Sequence, residues 1–307
     1  MEYGFLEEKH KNFPPMVLVG VTNVCNNRCI MCPYSQIIKE GWYKPEFMSE
    51  ELYKKIVDEV ALYPETILRL TPDGEVLIHP KAIDFVKYAK DKGVALVSFD
   101  TNGLAFTEEK AKGLLDAGLD LVNFSLNAFK RETHQKIQYG SDFDAVMKNI
   151  HRFIDMRNQG RHKTKITVSI VDQPEVKDEI SDFITYWTSR VDYVMRRKYL
   201  GIMGFVGKEK ENFQQTNRWP CKFIFTRTDI SQDGYMRFCN DDWYRQTVVG
   251  NVKYQTISEI WQSKLYEMIR KHHLKGDYHK NKYCEDCTEW QSAEWDYDYF
   301  YAVKRIF

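Results

Sequence analysis

The sequence predicts an α/β protein in which a parallel sheet with helical crossovers is followed by a small α+β unit. Three observations predict this. The length, 307 residues, suffices for one large unit and one small one. Over the first two hundred residues, short apolar or β-branched runs alternate with amphipathic segments, the pattern of a parallel sheet crossed by helices. Over the last ninety, two β-prone segments flank an Asp-Gly turn, a strong hairpin signal.

Composition narrows the function classes. Hydrophobic residues at 43% and charged residues at 29% are ordinary for a globular chain. The formal net charge is zero and there is no long basic run, which argues against a general nucleic-acid binder. No apolar segment reaches transmembrane length, and the N-terminus lacks the basic-then-apolar order of a secretory signal. The expectation is a cytoplasmic protein with no membrane partner. Seven cysteines, an odd number, favour metal ligation over disulfides in a reducing compartment.

The predicted strands are 17–22, 66–70, 95–100, 121–125, 165–171 and 191–195. The predicted helices are 49–62, 80–92, 107–117, 143–158 and 177–189. Ser49 and Thr107 are suited to N-caps, Gly93 and Gly118 to C-terminal stops. In βα barrels chemistry sits at the C-terminal ends of strands, so the residues just after each run carry the functional reading.

After the first run come Cys25, Cys29 and Cys32, spaced C-x3-C-x2-C. Thiolates suit zinc, copper(I) and iron–sulfur clusters. A structural zinc site wants four ligands. Three would leave one metal position open, where chemistry can occur. The plainer readings are buried thiols, or half of a zinc site completed elsewhere. After the second run comes Thr71-Pro72-Asp73-Gly74-Glu75, otherwise an ordinary Pro-Asp-Gly turn. Thr101-Asn102-Gly103 follows the third run, where Asn-Gly favours left-handed backbone. Ser125-Leu126-Asn127 follows the fourth, with Ser125 and Asn127 on one side if the strand continues. The fifth run offers apolar wall. The sixth is followed by Arg196, Arg197 and Lys198, solvated cations by default.

In the C-terminal part, 201–218 reads as a linker. The hairpin spans 223–229 and 235–239 about the turn Ser231-Gln232-Asp233-Gly234, with Cys221 and Cys239 at its ends. A helix is expected near 257–272, opened by a Thr256/Glu259 capping box. Cys284 and Cys287 complete a tetrathiolate set, which by spacing alone could equally hold zinc.

The cysteine spacing resembles that of the radical S-adenosylmethionine (radical SAM) family. Asp73-Gly74-Glu75-Val76 through Pro80 resembles its Gly-Gly-Glu-Pro-Leu-Leu-His-Pro segment, with Asp73 for a glycine and Val76 for a proline. Cys221, the Asp-Gly hairpin, Cys239, Gly250-Asn251-Val252, Ile260-Trp261-Gln262-Ser263 and the final C-x2-C resemble the reduced SPASM, or twitch, extension, as in aminocyclitol dehydrogenases. The resemblance implies a partial (βα)6 TIM-like barrel over 1–205 and an α+β auxiliary-cluster domain with a β-hairpin over 206–307. It implies two [4Fe–4S] clusters, one on Cys25, Cys29 and Cys32, the other on Cys221, Cys239, Cys284 and Cys287. SAM would chelate the open iron of the first. Gly74 and Glu75 would serve its amino group, Met31 its adenine, and Ser125 and Asn127 its ribose or carboxylate. Asn127 keeps the acceptor of the family's aspartate but not its charge. Thr101 and Asn102 would face SAM or substrate. Arg197, rather than Arg196, would orient the substrate.

The implied chemistry is reductive cleavage of SAM to a 5′-deoxyadenosyl radical that takes a hydrogen atom from substrate. Flavodoxin or ferredoxin would supply the electron. Only 24 residues precede Cys25, too few for a leader-binding domain. A small polar substrate is therefore expected, such as an aminocyclitol, sugar or nucleotide-sugar, with a ribosomal peptide or protein side chain second. All seven cysteines are assigned, and Asn240 follows Cys239 where some relatives carry another. No thiol remains to return a hydrogen atom, which favours oxidation of an alcohol to a ketone over epimerisation. One of the 19 tyrosines could still serve as donor. A non-catalytic zinc scaffold is the alternative from another class. The aromatic tail, 290–307, is expected to pack on the protein or an oligomer interface, or to act as a lid.

Overall fold

A computed structural model of the chain describes residues 3–199 apart from 42 and 72, residues 218–295 apart from 293, and Val303. Eleven strands occur among the described residues: β1 (Met16–Val19), β2 (Arg28–Cys29), β3 (Ile67–Leu70), β4 (Leu96–Thr101), β5 (Leu121–Ser125), β6 (Gln138–Tyr139), β7 (Lys165–Asp172), β8 (Tyr193–Lys198), β9 (Thr228–Ile230), β10 (Tyr235–Arg237) and β11 (Val248–Asn251). Nine form one sheet in the order β11-β10-β9-β1-β3-β4-β5-β7-β8. The six from β1 to β8 are parallel, the core of a TIM-like partial barrel.

Helices Glu50–Val60, Ala82–Asp91, Glu108–Asp116, Phe143–Gln159 and Ile180–Thr188 follow the expected segments. Ser49 Oγ accepts from Leu52 N–H and Thr107 Oγ1 from Lys110 N–H, the two expected caps. Gly93 and Gly118 have φ of 85° and 79°, the left-handed backbone that ends a helix at little cost.

Strand alternation sorts the interior. Val17, Val19, Leu68, Leu70, Val97, Phe99, Val122 and Phe124 pack with the helices in the main core. Met16, Leu18, Ile67 and Leu121, of opposite parity, form a separate apolar cluster with Val303. It fills the lumen toward the N-terminal ends of the strands. Nearer the C-terminal ends the same inward positions turn polar, with Arg69, Asp100, Asn123, Thr167, Ser169 and Arg197. An apolar base beneath a polar layer is what a ligand cavity at the strand C-termini requires.

Three expectations need correction. The sixth strand runs to Lys198, because β8 pairs with the long β7 as far as Asp172↔Lys198. Arg196, Arg197 and Lys198 therefore lie on the strand, not after it. The segment Phe223–Thr226 is a helical turn, closed by Arg227 N–H to Phe223 O at 2.9 Å, and only Thr228–Ile230 is strand. The helix after Thr256 divides into Ile257–Trp261 and Lys264–Lys275, because Ser263 caps a new start; the Thr256/Glu259 box is present. The hairpin extends the main sheet, with β9 parallel beside β1 and Val17 opposite Thr228.

The expected boundary at 205/206 and linker residues 201–217 lie outside the described residues, as does most of the tail. The tail residues Trp290, Trp295 and Val303 are buried, and Trp295 Nε1 donates to Pro220 O at 2.9 Å. Among the described residues no helix is long and apolar enough to cross a membrane.

Candidate metal and cofactor site

Cys25, Cys29 and Cys32 stand on the loop leaving β1, each half-buried and free of disulfides. Local pairing shapes this loop. Arg28 and Cys29 form a short antiparallel ladder with Gln138 and Tyr139. Arg28 Nη1 donates to Cys25 O and Asn27 O, both at 3.0 Å, and Cys32 N–H donates to Cys29 O at 3.2 Å. Burial pushes the Cys25 thiol up to about 11 and the Cys32 thiol to about 12. Cys29 is raised by burial and then by the nearby charges of Cys32 and Cys25. Three converging thiols that resist ionisation by themselves fit a cationic iron–sulfur core, which ligates thiolates and stabilises them.

Glu75 organises the loops around them. Its backbone N–H donates to Val24 O at 2.8 Å, beside Cys25. Its carboxylate, 3% exposed, accepts from Thr101 Oγ1 and Asn102 N at 2.8 Å and from Leu77 N at 3.2 Å. Burial raises the carboxyl, and these donors oppose the rise. Three donors use three of roughly four lone-pair directions on a carboxylate, leaving about one for a ligand ammonium. Asn102 Nδ2 in turn donates to Asn26 Oδ1 at 2.7 Å and lies 3.9 Å from Cys25 Sγ. Glu75, Thr101 and Asn102 thus meet the cysteine loop in one hydrogen-bonded assembly.

Gly74 permits a close approach, and the partner is the chain's own backbone. A Cβ there would lie 2.5 Å from Val24 O and 2.6 Å from Thr22 O. Asn127 departs from strand alternation. Its φ is 60°, its N–H donates to Ser169 O at 3.0 Å, and its Nδ2 donates to Ser125 O at 3.2 Å. Ser125 O also accepts from Gln138 Nε2 at 2.7 Å, which joins this corner to the Cys29 ladder. Met31 packs partly buried at the edge of the main core.

Arg197 shares the inward parity of Met195, and its Nη2 lies 3.5 Å from Asp100 Oδ1. Arg196 instead pairs with Asp172 on the outer side. Asp100 also pairs with Arg69. Burial acts to raise the Asp100 carboxyl, but Arg69 and Arg197 more than offset it and hold it below the usual range.

The second thiol set also converges. Burial raises all four, and the charge of neighbouring thiols adds to the rise at three: Cys239 feels Cys287 and Cys221, Cys284 feels Cys221 and Cys287, and Cys287 feels Cys221. The four fit a cluster or metal of positive charge. Sequence reasoning missed the groups around them. Arg218 donates to Cys284 O at 2.7 Å and stacks over Tyr278 at 3.9 Å. Cys221 N–H donates to His273 Nδ1 at 3.3 Å. The pattern Trp-Pro-Cys with Arg218 just before it was the available signal. Beside the first set, Tyr34, Ile37 and Trp243 form a buried group packed with Cys25, Cys32, Tyr43 and Tyr244. This shell comes from both ends of the chain and screens the first thiol set from water.

Comparison with known proteins agrees. A radical SAM superfamily model matches residues 19–185, and an iron–sulfur cluster-binding SPASM domain model matches 221–288. The GTP 3′,8-cyclase of Limosilactobacillus fermentum is 29% identical over 215 residues, 68% of this chain and 60% of that protein. A tungsten-containing aldehyde ferredoxin oxidoreductase cofactor-modifying protein of Pyrococcus furiosus is 31% identical over 170 residues, 54% of this chain and 46% of that protein. The chain therefore matches about half the length of these curated relatives. Among solved structures, BtrN in complex with AdoMet and 2-DOIA shares the fold with a TM-score of 0.60 at 18% identity, over 97% of this chain and 99% of that one. Streptococcus suis SuiB bound to S-adenosylmethionine gives 0.70 at 14%, over 97% and 76%. Two iron–sulfur clusters and SAM are the cofactors of this domain pair. The first domain match alone spans more than half of the chain, which belongs to the radical SAM superfamily and carries a C-terminal SPASM domain.

Proposed function

We propose that the protein oxidises an alcohol of a small polar substrate to a ketone by hydrogen-atom abstraction. The observation that carries this is the division of seven cysteines into a converging three and a converging four. An eighth thiol is absent from the sequence, so epimerisation would need another hydrogen donor. When bound, SAM on the first cluster supplies the hydrogen-abstracting radical. Cys25, Cys29 and Cys32 would hold that cluster, and the other four cysteines a second, suited to accept the electron left on the substrate.

The remaining residues position and enclose. Glu75, through its one spare acceptor direction, would take the ammonium of SAM. Ser125 and Asn127 would serve its ribose or carboxylate, Thr101 and Asn102 its surroundings, and Met31 its adenine. Arg197 would orient the substrate hydroxyl from β8. The barrel unit would end near 205 and the auxiliary unit begin near 206. The protein would act in the cytoplasm with a flavodoxin- or ferredoxin-type reductant.

The small-molecule reading takes support from BtrN, whose structure with AdoMet and 2-DOIA this chain matches nearly end to end. A peptide is the second reading, favoured by the likeness to anSMEcpe with bound AdoMet and Cp18Cys peptide, TM-score 0.63 over 91% of this chain. Turnover in heavy water separates oxidation from epimerisation. The expected product is two hydrogens lighter than the substrate. A product of unchanged oxidation level, with solvent deuterium at the abstracted carbon, would overturn the reading.

A further inference from the structure

The loop joining β10 to β11 carries a ligand of the second thiol set and covers the first. Cys239 opens it, and Trp243 within it packs with Tyr34 and Ile37 beside Cys25 and Cys32. Trp243 is 8% exposed. Apart from Tyr244, the other residues of this group lie between positions 25 and 43. The loop thus brings an indole from the C-terminal unit onto the cysteine loop of the barrel.

Bonds along its length hold it there. Phe238 N–H donates to Thr247 O at 3.2 Å and closes its base. Asp242 Oδ2 accepts from Thr247 N at 2.6 Å and Thr247 Oγ1 at 2.7 Å, and Asp242 Oδ1 from Tyr244 N at 3.1 Å. The Tyr244 hydroxyl donates to Glu40 Oε1 at 2.8 Å, on the segment after Cys32. Tyr283, next to Cys284, donates its hydroxyl to Asp241 O at 2.7 Å. Arg245 has a φ of 61°, left-handed backbone that a non-glycine residue adopts at a cost, and it pairs with Asp233 Oδ2 at 2.6 Å. Such strain persists where the surroundings over-determine it, and it points to a function for the conformation held.

That function follows from what the indole covers. One-electron reduction makes a cluster on three thiolates more negative, and an apolar shell disfavours the added charge. The shell around a metal site controls solvent access and local dielectric, and through them the potential.

We propose that Trp243 seals the first cluster, holding its potential low and shielding its iron from oxygen, and that the second cluster keeps the seal in place through Cys239 and the Tyr283 bond. Loss of the second cluster would slacken the loop at both ties and admit water to Cys25 and Cys32. The inference rests on the two clusters and not on the substrate or the oxidation proposed above.

The test uses the reconstituted full chain without substrate. Redox titration followed by electron paramagnetic resonance gives both potentials, and added SAM, which alters the signal of the first cluster, identifies it. Trp243→Ala should shift the first cluster severalfold toward the reduced form at a fixed potential and speed its bleaching by limited oxygen severalfold. The potential of the second should not move. Trp243→Phe, which keeps an apolar ring, should restore most of both effects. Should Trp243→Ala fail to retain the first cluster, Trp243→Leu should change both readouts in the same direction. Replacing Cys284 and Cys287 together by Ser removes the second cluster and leaves Trp243 in the sequence; it should reproduce the shift and the faster bleaching. Trp243 variants that melt earlier with potential and bleaching unchanged overturn the seal. A first cluster indifferent to loss of the second overturns the coupling. Neither result bears on the oxidation reading, which turns on the product formed in heavy water.

Discussion

Asp73 and Arg237 form a buried ion pair, Oδ2 to Nη2 at 2.8 Å, with side chains 5% and 3% exposed. They stand 164 residues apart in sequence. The same Nη2 donates to Asp229 Oδ1 at 2.7 Å, and Nη1 to Asp242 O at 2.8 Å. Asp73 occupies the position where the resembling family segment has glycine, in the loop that carries Glu75. Arg237 ends β10, two residues before Cys239. The departure from the family pattern thus ties the Glu75 loop to the segment bearing the second thiol set.

Arg237→Met should be severely destabilising. It leaves the Asp73 and Asp229 carboxyl groups buried together without their cation, and removing one partner of a buried pair costs about 3–5 kcal/mol. Asp73→Gly should cost less, because it also removes a charge that holds the Asp229 carboxyl up, leaving Asp229 to serve as Arg237's partner. Denaturant unfolding measures both. Equal losses in the two variants would show that Arg237 acts through packing and not through charge.

Asp229 makes stability depend on pH. Burial pushes its carboxyl up to about 8, against the opposing charge of Arg237. An unfolded aspartate titrates at about 4. The folded state therefore holds this proton more tightly. Its contribution is complete below about pH 4 and is lost as the pH rises toward 8. Asn at this position mimics the protonated form, so the wild type should lose stability relative to Asp229→Asn across that window. Urea midpoints as a function of pH test this, and a constant difference would refute it.

Gly74→Ala should disturb the cysteine loop. The added methyl meets two backbone carbonyl oxygens, at 2.5 Å and 2.6 Å, and backbone cannot swing aside as a side chain can. Overpacking of this kind costs about 1–3 kcal/mol. A lower melting temperature and reduced iron content at the first site are expected. A variant with full iron and unchanged melting would show that the loop can yield.

The two thiol sets should separate by iron analysis. Replacing Cys25, Cys29 and Cys32 by Ala should abolish SAM cleavage and leave one cluster of the wild type's two. Zinc in place of iron at the remaining four cysteines would remove the electron acceptor from the proposed oxidation.

Much of this was legible because it is local. Helix periodicity, the caps at Ser49 and Thr107, and the stops at Gly93 and Gly118 each depend on a few neighbouring residues. The Asn102-Gly103 turn is likewise local, with Gly103 at φ 80°. What stayed hidden depends on long-range pairing. Nothing near Asp73 announces Arg237, and nothing in β9 announces its place beside β1. Asn127 escaped for another reason. Strand alternation assumes that β5 continues, whereas the chain leaves it at Ser125 and turns left-handed two residues later. The inward aim of Arg197 could have been read from its parity with Met195, had the strand been extended through the cations.

Glu75 gives the most exacting test of the SAM site, because its carboxylate has two duties. It binds Thr101, Asn102 and Leu77, and it has one acceptor direction left over. Glu75→Ala removes both functions. Glu75→Gln keeps one oxygen acceptor but replaces the other oxygen with a donor and removes the charge. If Glu75 serves only to hold the loops, the two variants should lose thermal stability and SAM affinity in parallel, with Gln the milder of the two. If it also meets the ammonium of SAM, Gln should weaken SAM binding well beyond its effect on stability. A hydrogen bond to a charged group is worth about 1.5–3 kcal/mol, or roughly a tenfold to hundredfold change in dissociation constant. Binding titrations on variants with both clusters intact provide the comparison. A Gln variant that binds SAM as the wild type does would confine Glu75 to holding the loops.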